Sequence, residues 1–239
     1  LLPQFKRWYS QAGTPRVQAS GNYDAASGRY TLQLAQTCPP TPGQPVKEPF
    51  VIPVVLGLLD QDGRDIATQV PPLFVMTESV HELTFDGLAG EPVPSLLRGF
   101  SAPVVLEIAY TDAQLLTLLA HDSDPFNRWE AGQRLAVRRA LAAIDGDGAV
   151  DAQPLDRAFL DAMRGVLRHP TLDAAFKELV LTLPSESYLA EQLDEVDPQR
   201  VHAVREAMRA QMATALQADW QWAFDEHRDS GAYRPDPNS

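Results

Sequence analysis

The strongest constraint on this chain is a change of hydrophobic period across Phe100–Trp129, FSAPVVLEIAYTDAQLLTLLAHDSDPFNRW. Upstream, apolar residues tend to alternate with polar ones, the period of a strand with one buried face. Downstream they recur every three or four residues, as on helices. A chain of 239 residues with one such switch is expected to be multidomain, β then α, each part long enough to bury its own core.

The first half reads as an immunoglobulin-like β-sandwich spanning residues 14–110. Candidate strands are Arg16–Ala19, Arg29–Thr37, Phe50–Leu59, Arg64–Gln69, Leu73–Ser79, His81–Phe85 and Leu97–Tyr110, the last broken near Pro103. Phe50–Leu59 is nearly all apolar, which suits a strand buried on both faces. Cys38–Pro49 holds five prolines in twelve residues, too many missing N–H groups for a ladder, and reads as a loop. Of the 20 prolines, 13 precede Asp112, the turn-rich pattern of a sandwich. Before it, residues 1–13 predict a short helix that places Leu1, Leu2, Phe5, Trp8 and Tyr9 on one face and stops at Gly13-Thr14-Pro15. That face is expected to pack on the sandwich or on something outside the chain, because so short a helix does not hold itself together in water.

Residues 111–239 read as an α-helical bundle or solenoid of helix pairs. Asp112 opens a helix with Leu115, Leu116, Leu118 and Leu119. Asp124-Pro125 and Asp197-Pro198 repeat one start signature, a capping carboxylate followed by proline at the first helical position. The helix from Pro125 carries Phe126, Trp129, Val137, Leu141 and Ile144 and ends at Asp145-Gly146-Asp147-Gly148. Further helices are expected over Pro154–His169, over Leu172–Leu183 with Ala175, Phe176, Leu179 and Val180, from the Ser185 cap to Leu193, and as one long helix over Pro198–Arg228. The polar tail Ser230–Ser239 reads as disordered.

The chemistry-bearing residues do not assemble into a catalytic motif. A net charge of −12 repels phosphate backbones, which excludes general nucleic-acid binding. No apolar run spans a bilayer and the first residues lack a signal-peptide core, so no membrane partner is expected. The single cysteine, Cys38, excludes an internal disulfide and reads as a bystander thiol. His81-Glu82 begins like the H-E-x-x-H zinc helix, but Phe85 stands at the fifth position and the stretch alternates like a strand. Asp145, Asp147 and Asp151 begin like a calcium loop, yet Val150 and Asp156 replace its glycine and glutamate; Asp60, Asp62 and Asp65 fail likewise and read as a hairpin turn. His121 and His169 suit helix C-termini, and Trp8, Trp129, Trp220 and Trp222 sit among aliphatics as core residues. No catalytic, substrate-binding or metal-ligating residue is assigned.

Phe5–Pro15 (FKRWYSQAGTP), Tyr30-Thr31-Leu32, Thr41–Gln44, Pro92–Leu97 (PVPSLL), Phe100–Val104 (FSAPV), Asp124–Gln133 (DPFNRWEAGQ), Leu181–Ser185 and Val204–Ala207 occur in the order and spacing of one family. In these segments the chain resembles bacterial aminopeptidase N, of the zinc-dependent alanyl aminopeptidases. The resemblance implies that residues 1–13 are the end of a catalytic domain, followed by the sandwich and the first part of a helical domain. The H-E-x-x-H and G-A-M-E-N motifs of that family are absent, so no zinc or catalytic residue carries over.

What the resemblance implies is the non-catalytic region of a cytoplasmic metallopeptidase. The parent would use zinc to release N-terminal amino acids from peptides; this chain itself would take no cofactor. Its partner would be the catalytic domain of the same polypeptide, the sandwich a spacer and the helices a lid. Two other readings stay open at this point: a stand-alone protein-interaction module, and an enzyme with an unrecognised acidic site, which would show raised carboxyl pKa values in a cleft.

Overall fold

Alternation of apolar side chains from Val17 through Leu34 builds the first hairpin. β1 (Arg16–Asp24) pairs antiparallel with β2 (Arg29–Thr37), placing Val17, Ala19, Tyr30, Leu32 and Leu34 on one buried face. The structure, a computed structural model, describes residues 1–146, 149–150 and 153–228. It divides into two compact units, Leu1–Gly132 and Gln133–Ser239.

In the first unit β3 (Ile52–Leu59), β4 (Leu73–Met76), β5 (Val80–Phe85), β6 (Val93–Leu96) and β7 (Val105–Ile108) complete two sheets, ordered β5-β2-β1-β7 and β4-β3-β6. All pairs are antiparallel except β1 with β7. Ile52, Val54, Leu56, Leu58, Met76, Phe85 and Leu96 meet the β1–β2 face in one core, each large side chain contributing roughly 1.5–3 kcal/mol. Pro53 is tolerated inside β3 because of parity. Val55, two residues on, sends its N–H away from β4 to Ser101 Oγ at 3.0 Å, so the proline nitrogen points where no ladder bond is lost.

Three expectations for this half are corrected. Arg64–Gln69 is not a strand: only Asp65 bridges to Leu59, and Asp60 folds the segment into a turn by accepting the Asp62 and Arg64 amides. Leu97–Tyr110 is not one broken strand either; β6 ends at Leu96 and a left-handed turn intervenes before β7. The N-terminal helix is two short ones, α1 (Leu2–Phe5) and α2 (Arg7–Ser10), and its apolar residues divide. Trp8 stacks on Phe50 at 4.7 Å and donates to Val51 O, while Leu1, Leu2, Phe5 and Tyr9 are exposed. Gln4 and Arg7 reach Pro49 O, and polar bonds rather than an apolar stripe complete the docking. The proline-rich loop is fixed by Lys47, whose ammonium donates to Ala12 O, Thr41 Oγ1 and Gln44 Oε1 at 2.6–2.8 Å.

Helices begin at the expected caps. Thr111 and Gln114 form a capping box at α3 (Asp112–His121), and Asp124 caps α4 (Pro125–Asp145). The second unit adds α5 (Arg157–Leu167), α6 (Ala174–Leu181), α7 (Glu186–Ala190), α8 (Pro198–Ala215) and α9 (Gln217–Glu226). The buried side of α4 is Leu135, Ala136, Ala140 and Ile144, with Val137 half-exposed. The expected long helix after Pro198 breaks at Leu216. Arg164 Nη2 takes the Ala215 carbonyl at 3.1 Å, and the Asp219 amide bonds to Leu216 O instead, tightening the turn and burying Leu216. In α6, Ala175 and Leu179 are exposed, whereas Lys177 is buried. Asp147 and Asp151 of the acidic turn, and the tail from Ser230, lie outside the described residues.

Two predictions follow from this packing. A Cβ on Gly21 would meet Tyr30 Cζ at 2.5 Å, and the Tyr30 ring is 2% exposed and cannot swing out. Gly21→Ala should cost about 1–3 kcal/mol in urea unfolding and almost nothing when introduced into Tyr30→Ala. In the second unit, burial works to raise the Asp219 carboxyl, but hydrogen bonds from Arg168 and Arg164 outweigh it and hold it below its ordinary value of 3.8. A lowered carboxyl contributes stability above its unfolded pKa that is lost as pH falls through the folded one. Asp219→Asn should therefore lower stability at neutral pH and flatten the acid limb below about pH 4, read by thermal melts across pH.

Candidate functional site

Within the first unit, the segment joining sandwich to helices carries a cluster of charged and polar side chains. After β6 the chain turns sharply, with Leu97, Gly99 and Phe100 all left-handed at φ 58°, 64° and 53°. Leucine and phenylalanine adopt this conformation at a cost of roughly 1–2 kcal/mol each. The turn aims the Gly99 amide at Asp124 Oδ2, 2.7 Å away, while the Asn127 amide donates to Asp124 Oδ1. One carboxylate thus caps α4 and pins the turn.

Asp122 lies behind it, 1% exposed. Its Oδ1 accepts the Asp124 amide at 2.9 Å and faces Arg98 Nη2 at 3.2 Å; Oδ2 has no hydrogen-bond partner among the described residues. Arg98 also donates to Ser95 Oγ and to Asp65, both at 2.7 Å, and Ser123 bonds the other Asp65 oxygen. Asn127 Nδ2 reaches Ser95 Oγ and Leu96 O, and Tyr110 donates to Pro94 O at 2.6 Å. Arg128 is 5% exposed and donates twice to the Asp122 carbonyl. Burial pushes the Asp122 carboxyl up, against the lowering pull of Ser95, the Asp124 amide and Arg98; burial also lowers Arg128. With these bonds the cluster fastens the turn after β6 to the start of α4.

The other sequence candidates are placed elsewhere. His81 and Glu82 lie on β5, and His81 Nε2, one of the two ring nitrogens able to hold a metal, accepts the amides of Thr77 and Glu78 at 3.1 and 3.0 Å. Asp60 closes its turn, Asp62 pairs with Arg64, and Asp65 belongs to the Arg98 cluster. Cys38 Sγ stands 3.7 Å from Ala12 O. Among the described residues no three His, Cys, Asp or Glu side chains are grouped as metal donors, so the side chains present do not fit a zinc site. Nor is any helix of the described residues long and apolar enough to cross a membrane. Reading Asp124 as a cap was correct; its second bond to Gly99, and the roles of Asp122, Arg98, Ser95 and Arg128, were missed. The signal available was two aspartates and an arginine, Asp122-x-Asp124 and Arg128, close together just after the apolar run Leu115–Ala120.

Comparison with known proteins bears directly on this architecture. A family model described as a domain of unknown function with an Ig-like fold (DUF3458) matches residues 13–109, and one described as a domain of unknown function with ARM repeats (DUF3458_C) matches residues 112–239. The chain belongs to this family, which joins an Ig-like sandwich to ARM-type helices. Aminopeptidase N of Escherichia coli is 38% identical over 222 residues, 90% of this chain and 25% of the relative. Aminopeptidase N of Caulobacter vibrioides is 41% identical over 215 residues, 90% of this chain and 24% of the relative. The crystal structure of Legionella pneumophila aminopeptidase A in complex with aspartic acid superposes with a TM-score of 0.79 at 25% identity, covering 99% of this chain and 26% of that one. The sequence is that of a region of an aminopeptidase N-like protein, spanning about a quarter of the relatives' length.

The fastening role of the cluster is testable through a glycine. A Cβ on Gly57 in β3 would fall inside the Arg98 guanidinium, so Gly57→Ala should expel Arg98 from Asp122 and Ser95. Arg98→Met removes the same partner and should cost about 3–5 kcal/mol, the loss seen when a buried charge is left alone. In urea unfolding Gly57→Ala should cost a similar amount, and the double variant distinctly less than the sum.

Proposed function

We propose that this chain is the non-catalytic region of a zinc-dependent aminopeptidase whose parent polypeptide releases N-terminal amino acids from peptides in the cytoplasm. In this reading residues 1–13 end a catalytic domain, residues 14–110 form a spacer, and residues 111–239 begin a helical lid. The partners are the catalytic domain of the same polypeptide and, through it, peptide substrates. Zinc would be held by that domain.

The observation that carries the reading is the divided helix pair α1–α2. One side is fastened to the sandwich through Trp8, Gln4 and Arg7, and the other presents Leu2 and Tyr9 to solvent at 67% and 85% exposure. A helix pair apolar on the side away from its own sandwich fits a joint between two bodies. The kinship with aminopeptidase N supports taking a catalytic domain as the second body. The docking of Trp8 on its own sandwich is the observation that favours a second reading, a stand-alone interaction module.

Two measurements test the proposal. The 239-residue chain should not hydrolyse alanine p-nitroanilide with or without added zinc; zinc-dependent turnover overturns the reading. Leu2→Glu with Phe5→Glu should leave the melting of the lone chain unchanged but lower the melting point and activity of a polypeptide that also carries the catalytic domain. Equal, unchanged melting in both supports the stand-alone module instead.

A further inference from the structure

In the second unit, α6 and α9 enclose a groove of about 390 Å³, within the range of small-ligand pockets. Its walls are apolar: Leu167 from α5, Leu181 from α6, and Trp220 and Ala223 from α9. Lys177 lines it as well, although the residue is only 6% exposed. A lysine covered to this degree buries its stem and keeps its ammonium in contact with water, and that ammonium attracts an anion where no carboxylate of the protein neutralises it.

Among the described residues no carboxylate lies within ion-pair distance of Lys177. Its ammonium is 5.9 Å from the Trp222 ring, at the outer limit of a cation–π contact. Arg168 lies over that same ring at 4.2 Å, but Asp219 accepts from it at 2.8 Å and matches its charge. Lys177 has no such carboxylate among the described residues; the groove's other nitrogen base is His227. Glu178 on the groove's rim disfavours ligands carrying several negative charges, phosphates above all.

We propose that this groove binds an organic monocarboxylate with an apolar body, the carboxylate pairing with Lys177 and the body lying on Leu181 and Trp220. The site uses no residue of the Asp122 cluster and stands independently of the aminopeptidase reading.

The probe is 4-phenylbutyrate, titrated into the 239-residue chain by calorimetry and by tryptophan fluorescence, with neutral 4-phenylbutyramide as the comparison. One saturable site is expected, with the amide at least tenfold weaker. Lys177→Met, which keeps the apolar stem and removes the charge, should weaken the carboxylate at least tenfold and melt no lower than the parent chain. Ala223→Phe, which fills the groove without touching the charge, should abolish binding of both probes. Absence of saturable binding, equal affinity for acid and amide, or undiminished binding by Lys177→Met overturns the proposal. So does a Lys177→Met chain that melts below the parent, since the ammonium would then be satisfied within the protein.

Discussion

Burying charge is the constraint around which the joint of this chain is built. Asp122 and Arg128 are 1% and 5% exposed, and Arg98 beside them is largely covered. An isolated ion in such a place would cost several kcal/mol, so it persists only where partners replace its water. The replacement comes from separate parts of the chain: Ser95 in β6, Arg98 just after it, Asp65 from the β3–β4 connection, and the Asp124 amide at the start of α4. Because each bond has narrow tolerance in distance and angle, the set fixes one placement of the α4 N-terminus against β6. Apolar contacts alone, being non-directional, would allow several placements of similar energy.

Space for these groups is made by omission. Gly57 lacks a side chain where Arg98 lies against β3, Gly63 where the His121 ring lies against the Asp60 turn, and Gly21 where Tyr30 crosses β1. In each case a large side chain occupies the volume a neighbour's Cβ would need. At Gly63 the backbone adds its own demand, since φ is +79°. The joint is consequently sensitive at residues that carry no polar group.

The architecture was legible in the sequence because it rests on period. The switch from two-residue to helical spacing placed the β and α parts in the right order, and Asp124-Pro125 and Asp197-Pro198 marked two helix starts that the structure reproduces. What failed depended on tertiary context. The α1–α2 helices were read as one apolar face, but Trp8 turns toward the sandwich because its indole N–H finds Val51 O there, and Leu2 and Tyr9 are left outside. Helix α8 ends at Ala215 because Arg164, fifty-one positions earlier, claims its carbonyl. The Asp122 cluster draws on Asp65, Ser95, Arg98 and Arg128, scattered over more than sixty positions. The segments PVPSLL and DPFNRW that carried the family resemblance nonetheless hold Ser95, Asn127 and Arg128. Period located the joint; single-residue chemistry did not.

Charge matching sets the paired arginines of the helices apart from Lys177. Arg164 and Arg168 share Asp219, Arg139 pairs with Asp156, and Arg200 donates to the Ala143 and Ile144 carbonyls at the end of α4. Each of these guanidiniums closes a contact between elements distant in sequence, where its planar fork serves better than a single ammonium. Lys177 departs from that pattern. It has one point charge, a buried stem and, among the described residues, an aromatic ring at 5.9 Å in place of a carboxylate. If its role were packing alone, a methionine would fill the same volume without a charge. Retaining the ammonium makes physical sense where an anion arrives from outside the fold. In an acidic chain of net charge −12, a single uncompensated cation in an apolar groove is also a selective one: the surrounding field repels multiply charged ligands, and the apolar walls reward a hydrophobic body.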